Sequence, residues 1–593
     1  MTDFVIVVEC VVPMARDQEG HLLSVELDLE VFLLGFFCGA PESFKHLDNV
    51  SPCDVVRRGM RKDLLKRFLC VRHGATVAVD VRQHERCSLS RDMQRPAHET
   101  PSSPQGTARE QSGADQPDFL RQFALIAGPL IGVAIALAVH SGGCASMKLS
   151  SAGGVSLGLL AWMAIWWGTQ AVDLAVTGLL PVLVLPLTGT TSVEQALVPF
   201  ANEVIFLFAG GSVIGIAIAR HGLGERLLAM LLSFVGDSQW AIVASFLCVT
   251  AAISAWVSNT ATAAMMLPLA AAAVSFYSSG GGDSAAHAKA LPHFRCAVLL
   301  AVAYGASIGG VMTLLGSPPN AIAAEWIDGN GGTMEFLHWS SIGVPVAVAM
   351  LLSVLVIFRF AFPLRGLVHP PKSSTLHITT QPLSRGAKVT LLIFVSAVLL
   401  WVASPLIKKH LPGVHISDGI IAIAAAFALF LLPQARGSRT PLVPWPETRA
   451  LPWGVFILFG GGLSLADSMQ RTGVSAAIAS TVGGVSGVPE FAIVGVVVTA
   501  LIFASEIGSN TALTATAVPI VGAMAPGLGI SPEKLVIAAT LGASCAFMLP
   551  VGTPPNALVY STGHVPQREM IRVGFMLNLC AAVVITALCS LLL

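Results

Sequence analysis

One pattern of residues occurs twice in this chain at a fixed distance, and it restricts the possible folds more than any other feature. Phe206-Leu-Phe-Ala-Gly-Gly211 returns as Ile457-Leu-Phe-Gly-Gly-Gly462. Arg220-His-Gly222 returns as Arg471-Thr-Gly473, Ser254 as Ser505, Ser258-Asn259-Thr260 as Ser509-Asn510-Thr511, and Pro268 as Pro519, every pair 251 residues apart. Further on, Gly316-Ser-Pro-Pro-Asn-Ala-Ile322 returns as Gly552-Thr-Pro-Pro-Asn-Ala-Leu558, now 236 apart. The 15-residue difference matches a Gly/Ser/Ala-rich loop near 278–292 that only the first copy has. A sequence repeated in register predicts two like structural units.

The medium follows from charge. Residues 1–118 hold 32 Lys, Arg, Asp and Glu, whereas residues 119–593 hold 36 in 475. The first part has the charge density of a soluble chain. The second belongs in lipid, where a charge at the bilayer centre costs about 3 kcal/mol. Over the whole chain 34 basic residues cancel 34 acidic ones, which excludes a nucleic-acid binder built on basic excess. Of 11 cysteines, six lie in the apolar part and read as small core hydrophobes rather than bridges.

Residues 1–118 read as a charged, partly disordered extension, or as the product of a misassigned start, with Met93 opening a shorter chain. Residues 25–38 suit one strand or helix, and 88–118, rich in Ser, Pro, Gln and Asp, suit a linker. Cys70-Val-Arg-His73 and His84-Glu-Arg-Cys87 have zinc-clip spacing, although scattered Cys and His is the plainer reading.

The apolar part, 119–593, is expected to be an all-α polytopic membrane domain. A span needs about 20 apolar residues. Hydropathy places helices near 120–140, 153–172, 174–189, 203–219, 293–315, 341–362, 387–404, 418–433, 454–470, 534–551 and 572–593. Two further stretches, 240–275 and 489–525, are long enough for two short helices each and carry polar residues at their centres, as a re-entrant hairpin does. With the amino terminus cytoplasmic, fourteen Lys/Arg fall in inner loops and five in outer ones. That bias supports eleven transmembrane helices plus two hairpins without net crossing, and an external carboxyl terminus. The repeats, about 120–362 and 387–593, then lie five crossings apart and are inverted, an arrangement typical of secondary transporters.

The repeated motifs suit a cation and an anion together. Ser, Asn and Thr offer neutral hard oxygens to Na⁺, while Asn and Thr also offer donors to a carboxylate. Gly-Ser/Thr-Pro-Pro breaks a helix, because proline has no N–H and forbids helical continuation before it. A broken helix exposes carbonyls on its first half and N–H groups on its second, suiting cation and anion respectively. No Arg or Lys lies in either hairpin or either broken core, so the anion would be held by helix ends, neutral side chains and neighbouring Na⁺. Glu506 reads either as a proton or cation site or, more simply, as a group that satisfies helix ends. Asn202 and Glu203 read as a helix start, Asp467 as an ion-pair partner of Arg471, and His221, His338 and His564 as loop residues.

At Ala201-Asn-Glu-Val-Ile-Phe-Leu-Phe208, the two Ser-Asn-Thr tips and the two Gly-Ser/Thr-Pro-Pro-Asn breaks, the sequence resembles the divalent anion/sodium symporter family, the sodium-coupled di- and tricarboxylate transporters and their sulfate-carrying relatives. The resemblance covers about 119–593. It implies a homodimer with a scaffold domain and a transport domain that moves as an elevator. It implies a first Na⁺ site at Ser254, Ser258, Asn259 and the Gly316 carbonyl, and a second at Ser505, Gly508, Asn510 and the Gly552 carbonyl. Substrate carboxylates would meet Asn259, Thr260, Ser317 and Pro318 from one half and Asn510, Thr511, Thr553 and Pro554 from the other. Members of the family often have Thr at the position of Ser505 and a bulkier residue at that of Gly508, which can offer only its backbone.

The expected function is import of a small divalent anion, a C4-dicarboxylate such as succinate, malate or fumarate, coupled to Na⁺ across a bacterial inner membrane. The partners are that anion, Na⁺, the bilayer and a second copy of the chain; no cofactor is expected. Citrate or sulfate symport and Na⁺-independent dicarboxylate exchange remain open. So, from another class, do cation/proton antiport and oxyanion efflux. An intramembrane enzyme is not expected, since the apolar part has neither His-Glu-x-x-His nor Gly-x-Ser-x-Gly.

Overall fold

Apolar runs bounded by capping residues and prolines become helices here, and helices make up most of what is described. The computed structural model describes residues 118–142, 149–235, 238–278, 285–365, 367, 382–410, 413, 415–482 and 488–593, with the dipeptides Val71–Arg72 and Ala75–Thr76. The chain divides into two units, 1–105 and 106–593. In the first, only the antiparallel pairing of Val71–Arg72 (β1) with Ala75–Thr76 (β2) is described. The element expected at 25–38, the linker expected over 88–118 apart from Asp118, and the zinc-clip residues Cys70, His73, His84 and Cys87 lie outside the described residues.

The second unit is helical. Its first helices are α1 (Asp118–His140), α2 (Ser151–Thr169), α3 (Leu174–Gly178), α4 (Leu180–Leu187), α5 (Val193–Leu197), α6 (Glu203–Arg220) and α7 (Leu223–Val235). There follow α8 (Gln239–Ser254), α9 (Asn259–Ser278), α10 (Ala285–Gly309), α11 (Pro318–Gly329), α12 (Phe336–Ala361), α13 (Arg385–His410) and α14 (Asp418–Leu431). The last are α15 (Trp453–Arg471), α16 (Val474–Val482), α17 (Glu490–Ser505), α18 (Asn510–Met524), α19 (Pro532–Ala543), α20 (Pro554–Tyr560) and α21 (Gln567–Leu592).

Local chemistry sets the starts. Ser150 Oγ accepts the Gly153 N–H at 3.1 Å to open α2, and Asn202 Oδ1 accepts the Val204 N–H at 2.8 Å to open α6. Each such cap stabilises its helix by about 1 kcal/mol. Small residues set close packing. A Cβ on Gly158 of α2 would lie 2.2 Å from the Gly132 carbonyl of α1, so the two backbones touch where these glycines face each other. The outer faces stay apolar: Leu130 and Leu137 of α1, Leu392 and Leu399 of α13, and Val583 of α21 are all exposed, as lipid-facing residues are.

The core centres on α10, which is buried from Cys296 to Gly309 without interruption. Contacts fix the direction of its neighbours. Cβ atoms on Gly305 and Gly309 would meet the carbonyls of Leu247 and Ala251, so α8 runs parallel to α10. Asn259 lies against Gly310, and Tyr277 packs on Phe294 with ring centroids 4.7 Å apart, so α9 runs antiparallel to it. The arms α8 and α9 therefore form a hairpin that turns at 255–258. In the second copy Glu490 pairs with Lys534 at 2.7 Å and Val498 lies against Gly542, so α17 runs parallel to α19. A short connection returns α18 to α19, which it packs against, completing the second hairpin. Shifting the bounds of α8 by 251 gives those of α17, and shifting the start of α11 by 236 gives that of α20.

Among the described residues nine helices are long and apolar enough to cross a membrane, and four shorter apolar ones accompany them. The nine include one arm of each hairpin, 259–278 and 510–528. Several helices differ from expectation. The helix expected over 293–315 stops at Gly309, and the one expected over 534–551 stops at Ala543, because the chain unwinds ahead of each Pro-Pro. The run 174–189 breaks at Leu179, just ahead of Pro181, into α3 and α4. The helix α12 starts before 341, which places His338 in its first turn rather than in a loop.

Candidate functional site

Two unwound segments, 310–317 and 544–553, lie between helix halves, and each faces a hairpin turn. Both are held by the same device. Asn320 donates its side-chain N–H groups to the carbonyls of Gly310 at 2.7 Å and Thr313 at 2.8 Å. Asn556 donates to Ala546 and Leu549, each at 3.1 Å. The spacings within the two sets are identical, and both asparagines are completely buried. A helix that stops in mid-core leaves carbonyls that water cannot reach; the asparagine amide supplies the missing donors.

The first turn brings Ser254, Asn259 and Gly316 together. Ser254 is fully buried, with Oγ 2.8 Å from Asn259 Oδ1 and 2.7 Å from the Ala306 carbonyl. Asn259 presses on Gly310, where a Cβ would lie 2.3 Å from its Oδ1, and a Cβ on Gly316 would lie 2.9 Å from the Ser254 carbonyl. The Ser254 hydroxyl and carbonyl, Asn259 Oδ1 and the Gly310 carbonyl thus gather, as neutral oxygens, around Gly310 and Gly316. Ser258 and Thr260 are exposed at the turn; Ser258 Oγ accepts the Ala261 N–H at 3.4 Å. Ser317 and Pro318 start α11, and Ser317 is 6% exposed without capping its helix.

The second turn is built differently. Ser505 is buried but its hydroxyl donates back to the Ile502 carbonyl at 2.7 Å. Gly508 has open space around it. Ser509 caps α18 by accepting the Ala512 N–H. The Asn510 Oδ1 is buried with no hydrogen-bond partner among the described residues, an acceptor suited to a cation or a donor-bearing ligand. Thr511 lies half-buried beside it. Thr553 caps α20 by accepting the Asn556 N–H at 3.4 Å, and Pro554 is exposed at the first position of that helix. Gly552 packs against Glu506, whose Oε2 would lie 3.1 Å from a Cβ there.

Glu506 explains the difference. Its Oε1 accepts the N–H groups of Phe547 (2.7 Å) and Met548 (2.9 Å) and the Asn578 amide (2.7 Å), and its Oε2 accepts the Leu549 N–H (2.9 Å). The carboxyl satisfies the unwound backbone, the simpler of the two readings its sequence position allowed. Tyr304 joins the copies, donating its hydroxyl from α10 to the Phe547 carbonyl at 2.9 Å. Tyr304 and Asn578 have no sequence signal, since each is one polar residue on a long apolar helix. Asn320 and Asn556 had one, recurring as the fifth residue of Gly-Ser/Thr-Pro-Pro-Asn. Beyond the turns, Asp467 and Arg471 pair at 2.8 Å, and Glu203 accepts the Gly419 N–H at 3.1 Å.

Residues 125–592 match the family described as the sodium:sulfate symporter transmembrane region. The chain is 33% identical over 469 residues to a sodium-dependent dicarboxylate transporter, SdcS, of Staphylococcus saprophyticus, covering 78% of this chain and 89% of that one. It is 33% identical over 472 residues to the SdcS of Staphylococcus aureus, with the same coverage. A solved structure of the YdaH transporter of Alcanivorax borkumensis superposes with TM-score 0.50 at 18% identity, over 68% of this chain and 87% of that one, a likeness of fold. The relatives are transporters and not enzymes, and this integral, multi-pass helical chain belongs to the sodium:sulfate symporter family.

Proposed function

We propose that the protein imports a small divalent anion, a C4-dicarboxylate such as succinate, malate or fumarate, together with Na⁺. The observation that carries this is the first turn, where the Ser254 hydroxyl and carbonyl, Asn259 Oδ1 and the Gly310 carbonyl gather around Gly310 and Gly316, in a hairpin and a helix break whose sequences hold no Lys or Arg. Relatives at 33% identity that are named sodium-dependent dicarboxylate transporters support both the ion and the substrate class. Sodium would bind at Ser254, Ser258, Asn259 and the Gly316 carbonyl, and at Ser505, Gly508, Asn510 and the Gly552 carbonyl. The anion would lie between the starts of α9, α11 and α18, meeting Asn259, Thr260, Ser317 and Pro318 on one side and Asn510, Thr511, Thr553 and Pro554 on the other. Helix N-termini favour negative charge, and bound Na⁺ adds to that field, so each ligand strengthens the other's binding.

The coincident hairpins support an inverted repeat of 120–362 and 387–593 within a membrane domain of 119–593. The proposed layout has eleven spans and two re-entrant hairpins, the amino terminus inside and the carboxyl terminus outside, in a bacterial inner membrane. In this reading α8–α12 and α17–α21 move as an elevator against a scaffold that includes α6 and α15, within a homodimer. Uptake of labelled succinate by proteoliposomes, with and without a Na⁺ gradient, tests the proposal. Uptake only with the gradient is expected. Equal uptake in both rejects symport, and competition by sulfate or citrate in place of succinate reassigns the substrate.

A further inference from the structure

Glu325 has no part in the roles described above. It sits on α11, two turns past the Pro-Pro break, and is 2% exposed. Its side chain faces a cavity between α11, α15 and α18 whose other lining residues, among them Ile322, Trp326, Leu458, Phe459, Leu463 and Val518, carry no charge. The carboxyl Oε1 is buried there with no hydrogen-bond partner among the described residues. A buried carboxylate is normally balanced by a cation or by several donors, as Glu506 is.

No cation on the surrounding helices is free to balance it. The main neighbours of α11 are α6, α15, α18 and α19. Helix α18 has no charged residue. On α15 the charges are Asp467 and Arg471, which pair with each other. On α19, Lys534 pairs with Glu490 at 2.7 Å and Glu533 with His338 at 3.3 Å. On α6, Glu203 accepts the Gly419 N–H and Arg220 pairs with Glu447. On α11 itself the nearest charge is Asp328, one turn on, which accepts the Met334 N–H at 2.6 Å. A proton is the one ligand that suits a lone carboxyl among apolar side chains, since Na⁺ needs more oxygens than this cavity offers.

We infer that Glu325 is a proton-binding site that latches the seam between α11 and α18 on one side and α15 on the other. With its proton the carboxyl fits the closed seam; without it the seam must open to bring water or a cation to the charge. Linkage is reciprocal, so opening the seam releases the proton and raising the pH opens the seam. The opening motion rests on the elevator reading, in which α15 belongs to the scaffold and α11 and α18 to the moving body.

Cross-linking across the seam tests this without relying on transport. Gly329 faces Leu463 across it, where a Cβ on Gly329 would lie 2.9 Å from a Leu463 methyl. Gly329→Cys with Leu463→Cys, in a background lacking other reactive thiols, reports the closed seam. Thiol chemistry alone makes cross-linking faster at higher pH. With native Glu325 the yield is expected to fall instead, by up to about tenfold per pH unit while the proton is lost. In the Glu325→Gln background, which cannot lose a proton, the fall is expected to vanish. Infrared difference spectra of the unmodified protein against Glu325→Gln should also show one carboxylic-acid C=O band. A yield that does not fall with native Glu325, or the absence of that band, overturns the inference. Failure of succinate uptake in the separate proteoliposome assay would overturn only the substrate assignment.

Discussion

The side-chain amide of Asn320 donates to the Gly310 carbonyl across the first helix break, at 2.7 Å. The same amide reaches Thr313, and Asn556 repeats both bonds in the second copy. Asn320→Ala leaves the buried Gly310 carbonyl without a donor and the Thr313 carbonyl with only the Gly316 N–H at 3.4 Å, at a cost of about 2 kcal/mol. It also frees the segment that carries Gly316. The expected result is a lower melting temperature in detergent and a higher Na⁺ concentration for half-maximal uptake. Unchanged Na⁺ dependence would separate this scaffold from the ion site.

Glu506 should behave as a backbone cap rather than as a carrier of protons. All four of its hydrogen bonds come from donors, three of them backbone N–H groups of the unwound 547–549. In Glu506→Gln an NH₂ group would face one of those N–H groups, so a donor meets a donor. We expect a loss of about 3 kcal/mol in stability and loss of uptake at every pH. A variant with full stability and altered proton dependence would instead favour the antiporter reading.

The hairpins were legible because their polar centres recur at one offset, and hydropathy found the long helices. Hydropathy failed where it averages across a break: 293–315 and 534–551 score as single spans although the chain unwinds at Gly309 and Ala543. The partners that hold those breaks were legible only in part. Asn320 and Asn556 recur, but Tyr304 and Asn578 act over 243 and 72 residues on targets that no local pattern marks. Ser505 matched Ser254 in position, yet its hydroxyl turns back to Ile502, and Glu506 packs on Gly552 in this copy. Sequence symmetry did not carry over to hydrogen-bond symmetry, because one copy stabilises its break with a carboxyl and the other with Thr313 Oγ1 donating to Ala255.

Trp256 sits in the first turn between Ser254 and Ser258, and its ring stacks on Phe336 at 5.7 Å and meets Phe394 edge-on at 4.9 Å. At the corresponding position of the second turn, Ile507 is 71% exposed. Aromatic packing therefore anchors only one of the two turns. Trp256→Ala should cost about 3 kcal/mol and weaken Na⁺ binding, while Ile507→Ala should change stability little. Na⁺-induced shifts in melting temperature for both variants provide the comparison. Equal shifts would show that the aromatic anchor does not position the ion site.

His221, just past the end of α6, gives the protein a pH response outside the membrane. Burial holds its imidazole below the ordinary value of 6.5; the Leu442 carbonyl, 3.2 Å from Nε2, opposes that shift, and the adjacent Arg220 adds to it. The folded state therefore binds fewer protons here than the unfolded state. Its contribution to stability is fully present above 6.5 and is lost as pH falls through the lower, folded value. His221→Gln keeps an N–H that can reach the Leu442 carbonyl but cannot titrate. We expect the melting temperature of the unmodified protein to fall more steeply than that of His221→Gln as the pH is lowered through this window, with the two converging in slope above it. Parallel curves throughout would show that the imidazole has the same proton affinity folded and unfolded.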